Sequence, residues 1–279
     1  MNTVFDQMMS RYEIKTSDDR INATHEVMQQ ITLAGLYRGG FFNKAAFYGG
    51  TCLRIFHGLP RFSEDMDFTL LQKQDDFMLE TYFDAIQNEF IALGREVVIT
   101  KKNKTAQTNI ESAFLKDNTE IYNVEFRTER TIKIKIEVDS NPSLKFSTEQ
   151  KIQLLPFSFV TRCMTKPCLF AGKMHALLFR NWKTRVKGRD WYDFEWYIRN
   201  SIPLDFKHLQ ERTKQSHSVE GEFTTFTFLQ LLKQKFETTN MERVKADIVP
   251  FIKNPQEIEI WSNDYFLQLA DMIQYSDDC

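Results

Sequence analysis

Three observations predict an α/β (α+β) fold, a small mixed sheet flanked by helices with a helical C-terminal part. Residues 132–139 alternate strictly, with Ile132, Ile134, Ile136 and Val138 on one side and Lys133, Lys135, Glu137 and Asp139 on the other, the signature of a half-buried strand. The short apolar run 45–48 passes straight into Gly49-Gly50 and then into a helical pattern. After Pro167, apolar residues recur at helical spacing in segment after segment.

In chain order, 18–38 reads as a helix capped by Ser17 or Asp18, with Ile21, Val27, Met28, Ile31 and Ala34 on one face. Residues 45–48 form a strand, 51–57 a brief helix, 65–71 a strand, 75–93 a long amphipathic helix and 96–101 another strand. Segments 120–127 and 131–139 are joined by a charged turn and form a hairpin, ended by Asn141-Pro142. Helices follow at 168–180, 189–199, 204–214, 225–236, 241–249 and 263–275. The division expected is residues 1–160 for an α/β domain and 161–279 for a helical one that completes the active site.

Composition narrows the function classes. With 42% hydrophobic and 27% charged residues the chain is that of an ordinary soluble globular protein, and its 25 Phe point to bulky aromatic packing. No apolar run is long enough to span a bilayer, and residues 1–13 have no apolar h-region, so no signal peptide is expected. Cys52, Cys163, Cys168 and Cys279 are scattered rather than framed, which fits a reducing, cytoplasmic compartment. Net charge is -2, yet Arg162, Lys166, Lys173, Arg180, Lys183, Arg185, Lys187 and Arg189 form a block without Asp or Glu. Such a block serves either as a phosphate-binding surface or as a solvated basic face.

The densest chemical signal runs from Tyr48 to Phe68. Without side chains at Gly49 and Gly50, backbone N–H groups at the start of a helix can approach phosphate oxygens closely, and Thr51 adds a hydroxyl there. Asp65 and Asp67 are two apart and project from one strand face. Carboxylates so placed repel unless a cation lies between them, and Mg²⁺ (or Mn²⁺) favours such hard oxygen donors. Arg61 and Ser63 precede the pair and are placed either to contact phosphate or to fix the carboxylates. Asp190 and Asp193 share one helix face, with Asp190 a candidate cap, and Lys173 is a point charge suited to a triphosphate. A zinc site from Cys163, Cys168 and His175 matches no common spacing; His57 reads as a loop histidine, and Trp182 and Trp191 as stacking or packing groups.

Gly49-Gly50-Thr51, Leu53-Arg54, the run Gly58 to Ser63 and Asp65-Met66-Asp67-Phe68 resemble the signature of the AbiEii/AbiGii toxin family, within the DNA polymerase β-like nucleotidyltransferase superfamily. The likeness returns at 134–138, 173–180 and 189–194, in the family's order, and spans residues 48–197. It implies that Asp65 and Asp67 bind metal and that Glu137 is the third acidic residue, a metal ligand or the base that draws the proton from the attacking hydroxyl, with Asp139 as the alternative. It further implies that Lys173 and Asp190 belong to the catalytic set, with Asp193 one helical turn on. The function implied is a metal-dependent nucleotidyltransferase, the toxin of a type IV toxin–antitoxin or phage abortive-infection pair. A nucleoside triphosphate would be the donor, an RNA such as tRNA the acceptor, and a cognate antitoxin the partner. The competing expectation is a non-catalytic GTP-binding or protein-interaction module.

Overall fold

A computed structural model describes residues 3–101, 119–126, 132–180, 186–216, 218–219 and 221–276. The chain forms two compact units. The first comprises Met1–Gly58, Ser63–Pro142 and Thr148–Cys163; the second comprises Leu59–Phe62, Ser143–Ser147 and Met164–Cys279. Two short segments from before residue 160 therefore group with the C-terminal helices.

The first unit is built on a seven-stranded mixed sheet in the order β3-β4-β5-β2-β1-β7-β6. Its strands are β1 (Ala45–Tyr48), β2 (Met66–Leu70), β3 (Val97–Lys101), β4 (Thr119–Phe126), β5 (Ile132–Asp139), β6 (Thr148–Gln153) and β7 (Phe159–Met164). The expected hairpin is present as the antiparallel pair β4/β5, whereas β5 lies parallel to β2 and β7 parallel to β1. The apolar side of β5 is fully buried, and Phe47 stacks on Phe68 with centroids 4.9 Å apart. Phe41 meets Phe68 edge-on at 5.1 Å. Much of the Phe content thus goes into this core, where each ring removes a large apolar area from water.

Helix α1 (Val4–Met9) precedes α2 (Ser17–Arg38), which is capped by Thr16 rather than Ser17 or Asp18. Thr16 Oγ1 accepts the Asp19 N–H at 3.1 Å and the Asp19 carboxylate accepts the Thr16 N–H at 2.9 Å, a reciprocal box with Asp in the place usual for Glu. Helix α3 (Gly49–His57) follows β1, and α4 (Phe83–Ala92) follows a 3-10 turn at Leu79–Tyr82. The single helix expected over 75–93 is thus shorter. Leu79 and Tyr82 are both buried at a spacing of three, the period of the 3-10 turn, and the α-period starts only with Ile86 and Phe90. A Cβ on Gly35 would lie 2.6 Å from the Ile86 Cα, so α2 and α4 touch backbone to backbone there.

The second unit holds α5 (Lys166–Phe179), α6 (Gly188–Arg199), α7 (Phe206–Gln215), α8 (Thr225–Thr238), α9 (Met241–Ile248) and α10 (Asn263–Ala270). These match the six helices expected, with ends moved by a few residues. Trp191, Phe194, Phe236 and Phe266 interlock at centroid distances from 4.8 to 6.3 Å. Among the described residues no helix is long and apolar enough to cross a membrane.

Candidate active site

Strand pairing brings the first acidic groups together. In the parallel pair β2/β5, Met66 lies opposite Ile136 and Asp67 opposite Glu137. Residues level with one another on neighbouring strands share a face, so Asp67 and Glu137 stand side by side. Asp65 comes immediately before β2, and Lys135 precedes Ile136 on β5. Lys135 Nζ pairs with Glu137 Oε1. Burial draws the Lys135 pKa down, but Glu137 and, further off, Asp65 and Asp67 more than offset this and leave it above the ordinary lysine value. The cluster is therefore three carboxylates with one ammonium already among them. Among the described residues no three His, Cys, Asp or Glu side chains are arranged to hold a metal ion, so the expectation of Glu137 as a third ligand gains nothing from this geometry.

The glycine turn is tied physically to this cluster. Gly49 has φ +81°, and a Cβ built on it would lie 3.1 Å from both Cβ and Cγ of Asp67 and closer still to Oδ2. Only glycine allows that backbone conformation without strain and leaves room for the carboxylate. Tyr48, the N-cap of α3, is itself opposite Asp67 on the other side of β2, and no side-chain hydrogen bond caps the helix. The first-turn N–H groups of α3 thus start beside Asp67, the placement that suits an anion.

Thr51 and Ser63 hold this arrangement in place. Thr51 is fully buried; its hydroxyl is hydrogen-bonded to that of Ser63 at 2.9 Å and also meets the Asp65 carbonyl. The buried Gln29 amide donates to the carbonyls of Ser63 and Glu64 at 3.0 and 2.9 Å. Of the two roles open to Ser63, these contacts match the fixing one, and the buried Thr51 hydroxyl shares it: together they hold the segment that carries Asp65. Asp139, the alternative to Glu137, is 5% exposed and its Oδ1 accepts the Asn141 N–H at 3.1 Å, which closes the turn after β5. Glu137, not Asp139, is level with Asp67.

The helical unit has its own charged cluster. Arg61 donates to Asp193 through Nε and Nη2 at 2.5 and 2.6 Å, and through Nη1 to the Phe62 carbonyl at 2.9 Å. Lys173 Nζ reaches Asp190 at 2.7 Å and Asp193 at 2.8 Å. Arg61 and Asp193 are 2% and 0% exposed, so Arg61 is a buried structural partner rather than a phosphate contact. Burial pushes the Asp190 carboxyl up, but Lys173, with Arg180 and Lys187 behind it, brings it down to about 2. Asp193 is likewise held below the usual carboxylate range, burial being outweighed by Arg61 and Lys173. The i, i+3 reading of Asp190 and Asp193 is right as to face, but Asp190 is not the cap; Lys187 occupies that position.

The remaining candidates are dispersed. Of the basic block, Arg162 belongs to the sheet unit, Lys183 and Arg185 lie outside the described residues together with Trp182, and Arg189 sits over the Phe251 ring at 4.3 Å. Burial and the nearby Arg180 bring the Lys187 pKa down to about 8. Trp191 is a core residue. His57 ends α3 with its side chain 4% exposed, 3.8 Å from Glu149, and is no loop residue. His175 bonds Ser216 at 2.8 Å and Cys168 donates to Asp205 at 3.1 Å, so neither serves zinc.

The model of the nucleotidyl transferase AbiEii toxin family, described as a type IV toxin–antitoxin system, matches residues 31–278. The chain belongs to the AbiEii family. The match extends well beyond the motif-bearing stretch at 48–197 and takes in the C-terminal helices. Among solved structures, MenT4, a nucleotidyltransferase toxin of Mycobacterium tuberculosis, is similar with a TM-score of 0.62 at 14% identity, over 95% of this chain and 87% of that one. JHP933 from Helicobacter pylori is similar with a TM-score of 0.53 at 17% identity, over 90% of this chain and 89% of that one. At such identities the likeness is one of fold, and the mixed α/β architecture is that of nucleotidyltransferase toxins. No functionally curated protein matches the sequence. Sequence reasoning missed Lys135 and Gln29 as site residues, although the alternation of β5 had already placed Lys135 on the Glu137 side.

Proposed function

We propose that this AbiEii-family chain transfers a nucleotide from a nucleoside triphosphate to an acceptor hydroxyl, with RNA, tRNA first, as the acceptor, and that it is the toxin held in check by a cognate antitoxin. One observation carries the reading: the Gly49 turn abuts the Asp67 carboxylate, which is in register with Glu137. In this reading the start of α3 receives phosphate, Asp67 serves the metal and Glu137 is the base, all within one unit.

In the proposed reaction the acceptor oxygen attacks the α-phosphorus, the new O–P bond forms, the bond to the bridging oxygen breaks and pyrophosphate leaves. Glu137 receives the hydroxyl proton. The first-turn N–H groups of α3, at Gly49 and Gly50, bind phosphate oxygens. Asp65 and Asp67 offer hard oxygen donors on a partly exposed face, which fits Mg²⁺ or Mn²⁺ sharing its shell with water and triphosphate. Such an ion would supply charge neutralisation on the phosphates and the leaving group. Lys173 remains a phosphate-binding charge in this reading: an ammonium has three donors, and Asp190 and Asp193 engage two. Asp190 orients that ammonium.

The test is incubation with total RNA, Mg²⁺ and each α-labelled triphosphate in turn, beside Asp67→Ala. Labelling of one RNA class by one nucleotide, absent in the variant, is expected. Nucleotide binding without transfer to RNA or protein would instead favour the non-catalytic GTP-binding module.

A further inference from the structure

The carboxylate cluster contains a positive charge that the proposed transfer does not use. Lys135 precedes Ile136 on β5 as Asp65 precedes its partner Met66 at the start of β2, and its Nζ pairs with Glu137 Oε1 along its own strand. The Lys135 side chain is 34% exposed and that of Glu137 16%. The pairing is thus half-sheltered from solvent, where charge interactions are stronger than on an open surface. Glu137 stands beside Asp67 across the β2/β5 pair, and an unpaired carboxylate there would be drawn to any cation the Asp pair holds.

We propose that Lys135 is a positioning residue that keeps the Glu137 carboxylate directed along β5 rather than across to Asp65 and Asp67, and that its ammonium competes with the divalent cation for those carboxylates. The inference rests on reading Asp65 and Asp67 as the metal carboxylates. Two consequences follow from electrostatics alone. Glu137, held by a monovalent partner, stays out of the coordination shell and keeps a lone pair for a proton. The Asp pair, facing a resident ammonium, binds a divalent cation more weakly than two bare aspartates would, so the triphosphate must contribute to holding the ion.

The experiment is a Mn²⁺ titration of the full chain without nucleotide, following free Mn²⁺ by electron paramagnetic resonance. Wild type, Lys135→Met, Lys135→Gln, Lys135→Arg and Asp67→Asn are compared, each checked for folding by thermal unfolding. The two neutral variants should bind Mn²⁺ on the order of tenfold more tightly, as expected for removing a unit charge some 6 Å from a divalent ion in a water-like medium. Lys135→Arg should resemble wild type and Asp67→Asn should lose binding. Neutral variants that bind no more tightly than wild type, with Asp67→Asn still defective, would overturn the role of Lys135 alone. Undiminished binding in Asp67→Asn would overturn the metal reading of the Asp pair, and this proposal with it.

Discussion

Gly49→Ala isolates the contact on which the site depends, because the structure supplies its own control. Gly49 and Gly58, at the two ends of α3, both have positive φ, +81° and +76°. Forcing alanine into that region costs about 1 kcal/mol at either position. A Cβ at Gly58 meets nothing within 4 Å, whereas one at Gly49 lies 3.1 Å from Asp67 Cβ and Cγ, with Oδ2 nearer still. Asp67 must then leave its rotamer or the turn must shift, which adds roughly 1–3 kcal/mol by analogy with overpacked cores. Denaturant unfolding should therefore give a loss of about 1 kcal/mol for Gly58→Ala and about 2–4 kcal/mol for Gly49→Ala. In an Asp67→Ala background most of the excess at Gly49 should disappear, since Cγ and Oδ2 are gone and only the Cβ contact at 3.1 Å remains. Nucleotidyl transfer and Mn²⁺ binding should fall at least tenfold in Gly49→Ala and stay near wild type in Gly58→Ala. Equal losses at the two glycines, or an excess undiminished without the Asp67 carboxylate, would refute the claim that the turn and the carboxylate fit each other.

Two further outcomes concern the helical unit. Asp193→Ala leaves Arg61 buried with its principal partner removed and should destabilise by about 3–5 kcal/mol, whereas an Arg61→Met/Asp193→Leu double change should recover most of that in the same unfolding assay. Asp190 has a folded pKa of about 2, below its unfolded value, so its contribution is present above about pH 4 and is lost as pH falls towards 2. Acid unfolding followed by circular dichroism should therefore steepen across that window, and Asp190→Asn should flatten the slope.

Much of this architecture is written in short-range pattern. The alternation of residues 132–139 fixed which side chains share a face, and one fact from the structure, the parallel register of β2 and β5, turned that into the neighbourhood of Asp67 and Glu137. The six C-terminal helices were legible because their apolar faces repeat at helical spacing. Strand β6 was not: its sequence Thr148–Gln153 is polar, with Ile152 70% exposed, so no buried face marks it. Nor could spacing reveal that Arg61 belongs with Asp193, since a buried ion pair leaves no trace in local periodicity. Nor does spacing decide between phosphate contact and structural support for Thr51 and Ser63, since a hydroxyl near glycines suits either role; burial is what separates the two.

The placement of Leu59–Phe62 within the helical unit bears on how the chain is made. Arg61 leaves the ribosome 132 residues ahead of the aspartate that neutralises it. At some 5–20 residues per second, that interval is roughly 7–26 seconds. Throughout it the guanidinium lacks the carboxylate that neutralises it, and the four-residue segment around it lacks the helices it groups with. Any nascent or truncated chain that stops short of α6 would carry the Gly49–Asp67 motif with that segment still waiting for its counter-charge.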